Sequence, residues 1–311
     1  MNNEYRLFAG SANPALAELV ARHLGTPLSP CAIERFPDGE VSVRLDESVR
    51  GCEVFIIQPT SPPVDEHVME LLIFADACRR AAAARITAVV PYFGYARQDR
   101  RRGQRAPITA SMVALLMQAD GIDQVMTVDI HVDQLEGFFT VPMDSLTAAP
   151  ALCDALQPAL LDGVVVVSPD VGRVAMATHY ARRLGTSVVV LHKHRESATQ
   201  TTVTHVVGDV AGRPCLIVDD MISTGGTIAR GVAALLEAGA RPDITIAATH
   251  GVFVAGARDA LSHPSIRGVY VTDTIPVSAD GWERLRVVSV APLLATAIGR
   301  LRADGSLSGL R

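Results

Sequence analysis

Short, nearly continuous apolar runs recur along the whole chain with helix-patterned segments between them, and this alternation constrains the fold more than any single motif. Runs at 54–58, 86–90, 124–128, 164–167, 187–191, 215–218, 244–249 and 269–271 are rich in Val and Ile. Uninterrupted apolar stretches of this length are expected of parallel strands buried on both faces. Helical patterns occupy 14–24, 65–80, 108–118, 174–183, 227–238 and 293–302. Strand and helix in alternation predict an α/β chain whose mainly parallel sheet is flanked by helices. The pattern continues through all 311 residues, which would overload one sheet, so two domains are expected, 1–147 and 148–311. The boundary is read from a polar turn at 146–150 that precedes a fresh helix. No short-period repeat or low-complexity segment interrupts the pattern.

Composition removes several function classes. Charged residues make up 20% and hydrophobic ones 49%, a well-buried globular balance. A formal charge of −5 argues against a general nucleic-acid or membrane-surface binder. The sign reverses locally at Arg97, Arg100, Arg101, Arg102 and Arg105, a density that in an acidic protein suggests polyphosphate. Five cysteines, Cys31, Cys52, Cys78, Cys153 and Cys215, are scattered and never spaced as CxxC, so they read as small buried hydrophobes in a reducing compartment. No secretory pattern opens the chain and no run of ~18 apolar residues is present, so a cytoplasmic protein without a membrane partner is expected.

The strongest chemical signal is LIVDDMISTGGT at 216–227. An apolar strand leads into the acidic pair Asp219 and Asp220, then into Ser223, Thr224, Gly225, Gly226 and Thr227, with a helix opening at about residue 227. Backbone N–H groups and hydroxyls at a helix N-terminus suit a phosphate, and the glycines permit close approach. The two aspartates at a strand's carboxyl end suit the vicinal hydroxyls of a ribose, or a metal bridging to them. They do not suit the phosphate itself, because like charges repel.

This segment resembles the phosphoribosyl diphosphate loop of type I phosphoribosyltransferases and ribose-phosphate diphosphokinases. FPDGE (36–40), YFGYARQDRR (92–101), DIHVDQLEGFF (129–139), SPDVG (168–172), TDTIP (272–276) and VAPLL (290–294) resemble the diphosphokinase family, bacterial-type class I-like, in its usual order. The resemblance implies two domains of type I phosphoribosyltransferase-like fold, the first with ATP-binding motifs and the second with the ribose 5-phosphate loop. It assigns Phe36, Asp38, Gly39 and Glu40 to ATP bound by a neighbouring subunit, and Arg97, Gln98 and Asp99 to the same nucleotide. His131 and Asp170 resemble the ligands of Mg2+ on ATP, an ion that keeps several waters and tolerates few protein donors. Lys193 and Arg195 are assigned to the transition state, where phosphoryl transfer depends on positioning and charge neutralisation. Arg195 joins Asp219, Asp220 and residues 223–227 around ribose 5-phosphate. The polar segment 196–204 is expected to be mobile. The implied reaction is attack of the sugar's anomeric hydroxyl on the β-phosphorus of ATP, with AMP leaving and no side chain assigned as general base. Because the nucleotide site borrows a neighbour's residues, self-association is implied, at least to a dimer and in the family often to a hexamer.

Three features depart from the family pattern. Ser223 stands where an acid is usual, and His194 interrupts a Lys-Arg-Arg run, bringing a group that titrates near neutrality. Ser48, Arg50, Arg80, Ser306 and Ser308 match the family's phosphate and ADP regulatory site, but Ala82 replaces a serine and Arg311 a terminal aromatic. Weakened regulation is the expectation. Two rival readings are a non-catalytic regulatory homologue and a phosphoribosyltransferase. The second explains the loop at 216–227 but neither FPDGE nor ARQD.

Overall fold

The structure is a computed structural model that describes residues 4–101, 103–195 and 201–311, with backbone alone for 193–195 and 201–204. The chain divides into two compact units. The first contains β1 (Tyr5–Ala9), α1 (Pro14–Leu24), β2 (Cys31–Arg35), β3 (Val41–Leu45), β4 (Glu53–Ile57), α2 (Val64–Arg80), β5 (Arg85–Val90), α3 (Thr109–Ala119), β6 (Gln124–Val128) and β7 (Met143–Leu146). Its main sheet is parallel throughout, in the order β1-β4-β5-β6-β7. β4 shows why: Val54, Phe55, Ile56 and Ile57 are all fully buried, so neither face meets water. α2 turns Val68, Leu71, Phe74, Ala75 and Cys78 inward at helical spacing, and Phe74 meets Phe8 of β1 with ring centroids 5.2 Å apart. Asn13 caps α1 by accepting from Leu16 N at 3.2 Å, Pro14 opens the helix, and Gly25 closes it at φ 67°.

The second unit contains α4 (Ala149–Leu156), β8 (Val165–Ser168), α5 (Val174–Leu184), β9 (Val188–Arg195), β10 (Thr201–Val207), β11 (Cys215–Ile222), α6 (Gly226–Glu237), β12 (Ile244–Gly251), α7 (Ala257–Ala260), β13 (Ile266–Thr272) and β14 (Leu285–Val288). The sheet order is β10-β9-β8-β11-β12-β13-β14, parallel except for the edge strand β10, which runs antiparallel to β9. From β8 the chain steps outward to β9 and β10, then returns to the other side of β8 as β11 and proceeds the opposite way. β8 and β11 therefore flank the one reversal of strand order, where open α/β sheets bind ligands at the strands' carboxyl ends. The first unit's main sheet follows chain order and has no such reversal.

The last helix, α8 (Ala291–Arg302), belongs to the first unit and packs on α1. This corrects the expected second domain of 148–311: residues 274–276 and 290–311 fall in the first unit. The physical cause is the packing of α8 on α1, with Leu294, Ala297 and Ile298 of α8 buried, and Arg302 stacked 3.6 Å over the Tyr5 ring. Several strands are also longer than expected, and two of them carry candidate site residues. β9 continues from the predicted end at Leu191 through Arg195, because β10 pairs with it. β11 continues past Val218 to Ile222, held by β12. No helix among the described residues is long and apolar enough to cross a membrane.

Candidate active site

β11 pairs with β8 only as far as Ile217 but with β12 as far as Ile222. Asp219 and Asp220 thus lie beyond the reach of β8, on a strand still anchored on its other side. Asp220 is buried and Asp219 nearly so, and Asp220 N donates to Asp219 Oδ1 at 2.9 Å. Arg173 brings its Nε to 3.1 Å from Asp220 Oδ1 and 3.4 Å from Asp219 Oδ1. Burial raises the Asp219 carboxyl well above its ordinary 3.8; the charge of Asp220 and a hydrogen bond between the two carboxyls add to this, while Arg173 and the Asp220 N–H oppose it. Asp170, half-buried just past β8, opens the single 3₁₀ turn Val171–Arg173 that delivers Arg173 to the acids, and Ser168 Oγ donates to Asp170 O at 2.7 Å.

The loop after β11 is shaped for an anion. Gly225 takes φ 74° at the N-cap of α6, and no side chain caps that helix. Its first-turn N–H groups therefore lack a side-chain acceptor at the cap position, which is the property that makes helix N-termini bind phosphates. Gly225 is needed here twice over. Its φ is positive, and a Cβ would stand 3.2 Å from both Ala260 and Leu261 and 3.3 Å from Ala257 O. Thr224 Oγ1 accepts from Gly226 N at 3.3 Å, while Ser223 and Thr227 stay partly accessible at the rim.

In the first unit, Phe36, Asp38, Gly39 and Glu40 form the exposed turn between β2 and β3. Phe36 N donates to Glu40 O and Gly39 N to Phe36 O, both at 2.9 Å, and Gly39 takes φ 95°. The segment after β5 encloses a cavity of about 240 Å³ lined by Val64, Asp65, Tyr92, Tyr95, Arg97 and Gln98. Tyr95 is held at φ 63° and donates its hydroxyl to Asp65 Oδ1 at 2.6 Å, which raises the phenol's pKa. Gly94 N donates to Thr60 Oγ1 at 2.6 Å, and a Cβ at residue 94 would sit 2.4 Å from Thr60 O. Gln98 is fixed by Thr109, whose hydroxyl donates to its Oε1 at 2.6 Å, leaving Arg97 exposed at the rim and Asp99 half-buried. Arg100, Arg101 and Arg105 are exposed, and Arg102 lies outside the described residues. His131 follows β6, half-buried, two residues after Asp129 at φ 38°.

Lys193 and Arg195 were expected in a loop. Their backbone instead forms the end of β9, with Val203 opposite Lys193, Thr202 opposite His194 and Thr201 opposite Arg195. Their side chains lie outside the described residues, as do residues 196–200 of the segment expected to be mobile; residues 201–204 belong to β10.

Residues 5–121 match the family model described as the N-terminal domain of ribose phosphate pyrophosphokinase, and residues 195–311 match the phosphoribosyl synthetase-associated domain. A ribose-phosphate pyrophosphokinase of Gloeobacter violaceus is 45% identical over 307 residues, 98% of this chain and 92% of that protein. That of Nostoc sp. is 46% identical over 311 residues, 99% of this chain and 94% of the relative. The crystal structure of phosphoribosylpyrophosphate synthetase from Mycobacterium smegmatis superimposes with a TM-score of 0.91 at 43% identity, covering 97% of this chain and 100% of that one. The chain belongs to the ribose-phosphate pyrophosphokinase family.

As a member of a pyrophosphokinase family it is a transferase of the kinase type, and the phosphoribosyltransferase alternative gives way to a match that spans both units. Arg173 is the residue that reading the pyrophosphokinase motifs one by one passes over. Its signal was present: two adjacent acids on an apolar strand need a cation, and an arginine ends the run SPDVGR. Tyr95, Asp65 and Thr60 were missed for another reason, since their role is contact across the chain rather than a local motif. Of the regulatory-site residues, Arg80 pairs with Asp76 at 2.6 Å and Ser306 Oγ lies 2.9 Å from Ser308 Oγ. Arg311, in place of the aromatic terminus, reaches Asp144 Oδ1 at 2.8 Å, and Ala82 takes φ 63°. Among the described residues no group of three or more His, Cys, Asp or Glu could hold a metal ion. Asp170 offers a hard oxygen donor that fits Mg2+, which takes one or two carboxylates and completes its shell with water and substrate phosphates.

Proposed function

We propose that this enzyme transfers the diphosphoryl group of ATP to the anomeric hydroxyl of ribose 5-phosphate, giving 5-phosphoribosyl 1-diphosphate and AMP. One observation carries the assignment of the sugar site: an acidic pair and a helix N-terminus without a side-chain cap stand together at the strand reversal of the second unit. Residues 223–227 hold the sugar phosphate, and Asp219 and Asp220 accept from the ribose hydroxyls. Arg97, Gln98 and Asp99 hold ATP, with the cavity beside Tyr92 and Tyr95 supporting a nucleotide site in the first unit. Phe36, Asp38, Gly39 and Glu40 serve the ATP site of a neighbouring copy.

Lys193 and Arg195 neutralise charge on the transferred group, and Arg195 also serves ribose 5-phosphate. Such positioning and electrostatic stabilisation carry phosphoryl transfer, which asks little proton chemistry of the protein. Mg2+, with His131 and Asp170 as its protein ligands, supplies charge neutralisation on the phosphates when bound. The product serves nucleotide, histidine and tryptophan biosynthesis in the cytoplasm, with no nucleic-acid or membrane partner.

Self-association, at least to a dimer and in keeping with a hexamer, accounts for the exposed apolar side chains Met112, Leu115 and Leu116 on α3 and Phe36 in the hairpin turn. The deciding assay mixes purified protein with Mg2+, ATP and ribose 5-phosphate and follows AMP. Stoichiometric AMP and phosphoribosyl diphosphate, abolished by chelation, is the expected result. ATP consumption independent of the sugar would overturn the reading. Light scattering should give a mass of at least two 33.0 kDa chains.

A further inference from the structure

We propose that Phe253 and Trp282 form a pin that orients the phosphate loop, making Phe253 a positioning residue for sugar-phosphate binding. The inference deepens the reading of residues 223–227 given above and rests on it. β12 ends at Gly251, paired with Ile222 of β11. Just beyond, Phe253 N donates to Ile222 O at 3.0 Å and Val254 N to Ser223 O at 3.1 Å. A trans peptide is planar, with its N–H opposed to its C=O. Engaging the carbonyl of Ile222 therefore points the N–H of Ser223 away from Phe253, and engaging the carbonyl of Ser223 does the same for the N–H of Thr224. Two loop donors are thus oriented by a neighbouring segment before any ligand arrives.

That segment is itself held under strain. Phe253 sits at φ 39°, a region a bulky side chain occupies only when its surroundings impose it. The surroundings are specific. The Phe253 ring lies edge-on to Trp282 with centroids 5.0 Å apart, and a Cβ at residue 251 would come within 2.6 Å of the ring, so only glycine fits beneath it. Trp282 is fixed in turn, accepting from Leu285 N at 2.9 Å where β14 enters the core. Farther along, Ala257 O, Ala260 and Leu261 bound Gly225, so the segment 251–261 meets the phosphate loop at Ile222, Ser223 and Gly225.

Trp282 is the only tryptophan of the chain, so its emission reads this contact directly. Titrating the full-length enzyme with ribose 5-phosphate should change Trp282 fluorescence saturably, with the same midpoint as calorimetry, whereas ATP alone should not. Phe253→Ala should raise KM for ribose 5-phosphate about tenfold, leave KM for ATP in place and uncouple the emission from the sugar; Phe253→Tyr should restore all three. If calorimetry shows the sugar binding while wild-type emission stays flat, or if Phe253→Ala leaves KM for the sugar unchanged, the pin is refuted and the loop assignment stands. If calorimetry shows no sugar binding at all, the loop assignment fails and the pin fails with it. The wild-type titration needs no variant to fold.

Discussion

At the scale of single residues, Asp219 carries a testable electrostatic consequence. Its folded-state pKa is raised, chiefly by burial, so its neutral form is favoured in the native protein. The associated stability is fully present below the unfolded value near 3.8 and is lost as pH climbs through the higher folded value. Asp219→Asn removes that loss. Thermal melts should show a gain in Tm at pH 8, about 2–4 °C per ~1 kcal/mol, that vanishes at pH 4, together with a higher KM for ribose 5-phosphate. An unchanged melting curve at both pH values would refute the assignment of burial as the dominant cause. Gly10 is a second single-residue test. A Cβ there would fall 2.1 Å from Gln58 Oε1, which is fixed by accepting from Ala12 N while its amide donates to buried Glu70. Gly10→Ala should cost about 1–3 kcal/mol in chemical denaturation, the usual penalty for overpacking a closed site. Both sites were half-legible. The double acid stood out in the sequence, but its cation comes from a turn some fifty residues away, and its raised pKa comes from burial, which only the fold imposes.

Between residue and domain, the relevant unit is the short segment joining a strand to the next element. The turn Val171–Arg173 exists to bring a guanidinium to two carboxylates at the end of a neighbouring strand. Arg173→Ala would leave buried acids without that partner, at a cost on the order of 3 kcal/mol, and should raise KM for ribose 5-phosphate more than KM for ATP; urea titration and steady-state kinetics check the two halves. The six long helices were readable from periodicity, and α1 matches its predicted span residue for residue. Strands β1, β2, β3, β7, β10 and β14 were not. Each is short or carries exposed polar residues, so its strand character comes from pairing with a neighbour, and no continuous apolar run announces it. The same cause extended β9 through Lys193 and Arg195, where the residue types alone suggested a basic loop.

For the molecule as a whole, the C-terminal segment is the main departure from a division into two consecutive domains. Deleting residues 290–311 should remove α8 from α1; Leu294 and Ile298 alone represent about 3–6 kcal/mol of buried side chain. Since an entire domain is held by about 5–15 kcal/mol, the truncated protein should be insoluble or melt well below the full chain. A truncation that melts with the parent would show that α8 is dispensable to the first unit. The sequence by itself determined the class of fold and the family, because buried parallel strands and a series of short motifs each leave a contiguous signature. Only the tertiary structure decided that α8 returns to the first unit, that Arg173 partners the acidic pair and that Phe253 N bonds the carbonyl of Ile222 at the end of β11. Those relations join residues distant in the chain, and burial and pairing energies act on distance in space, of which linear order carries no record.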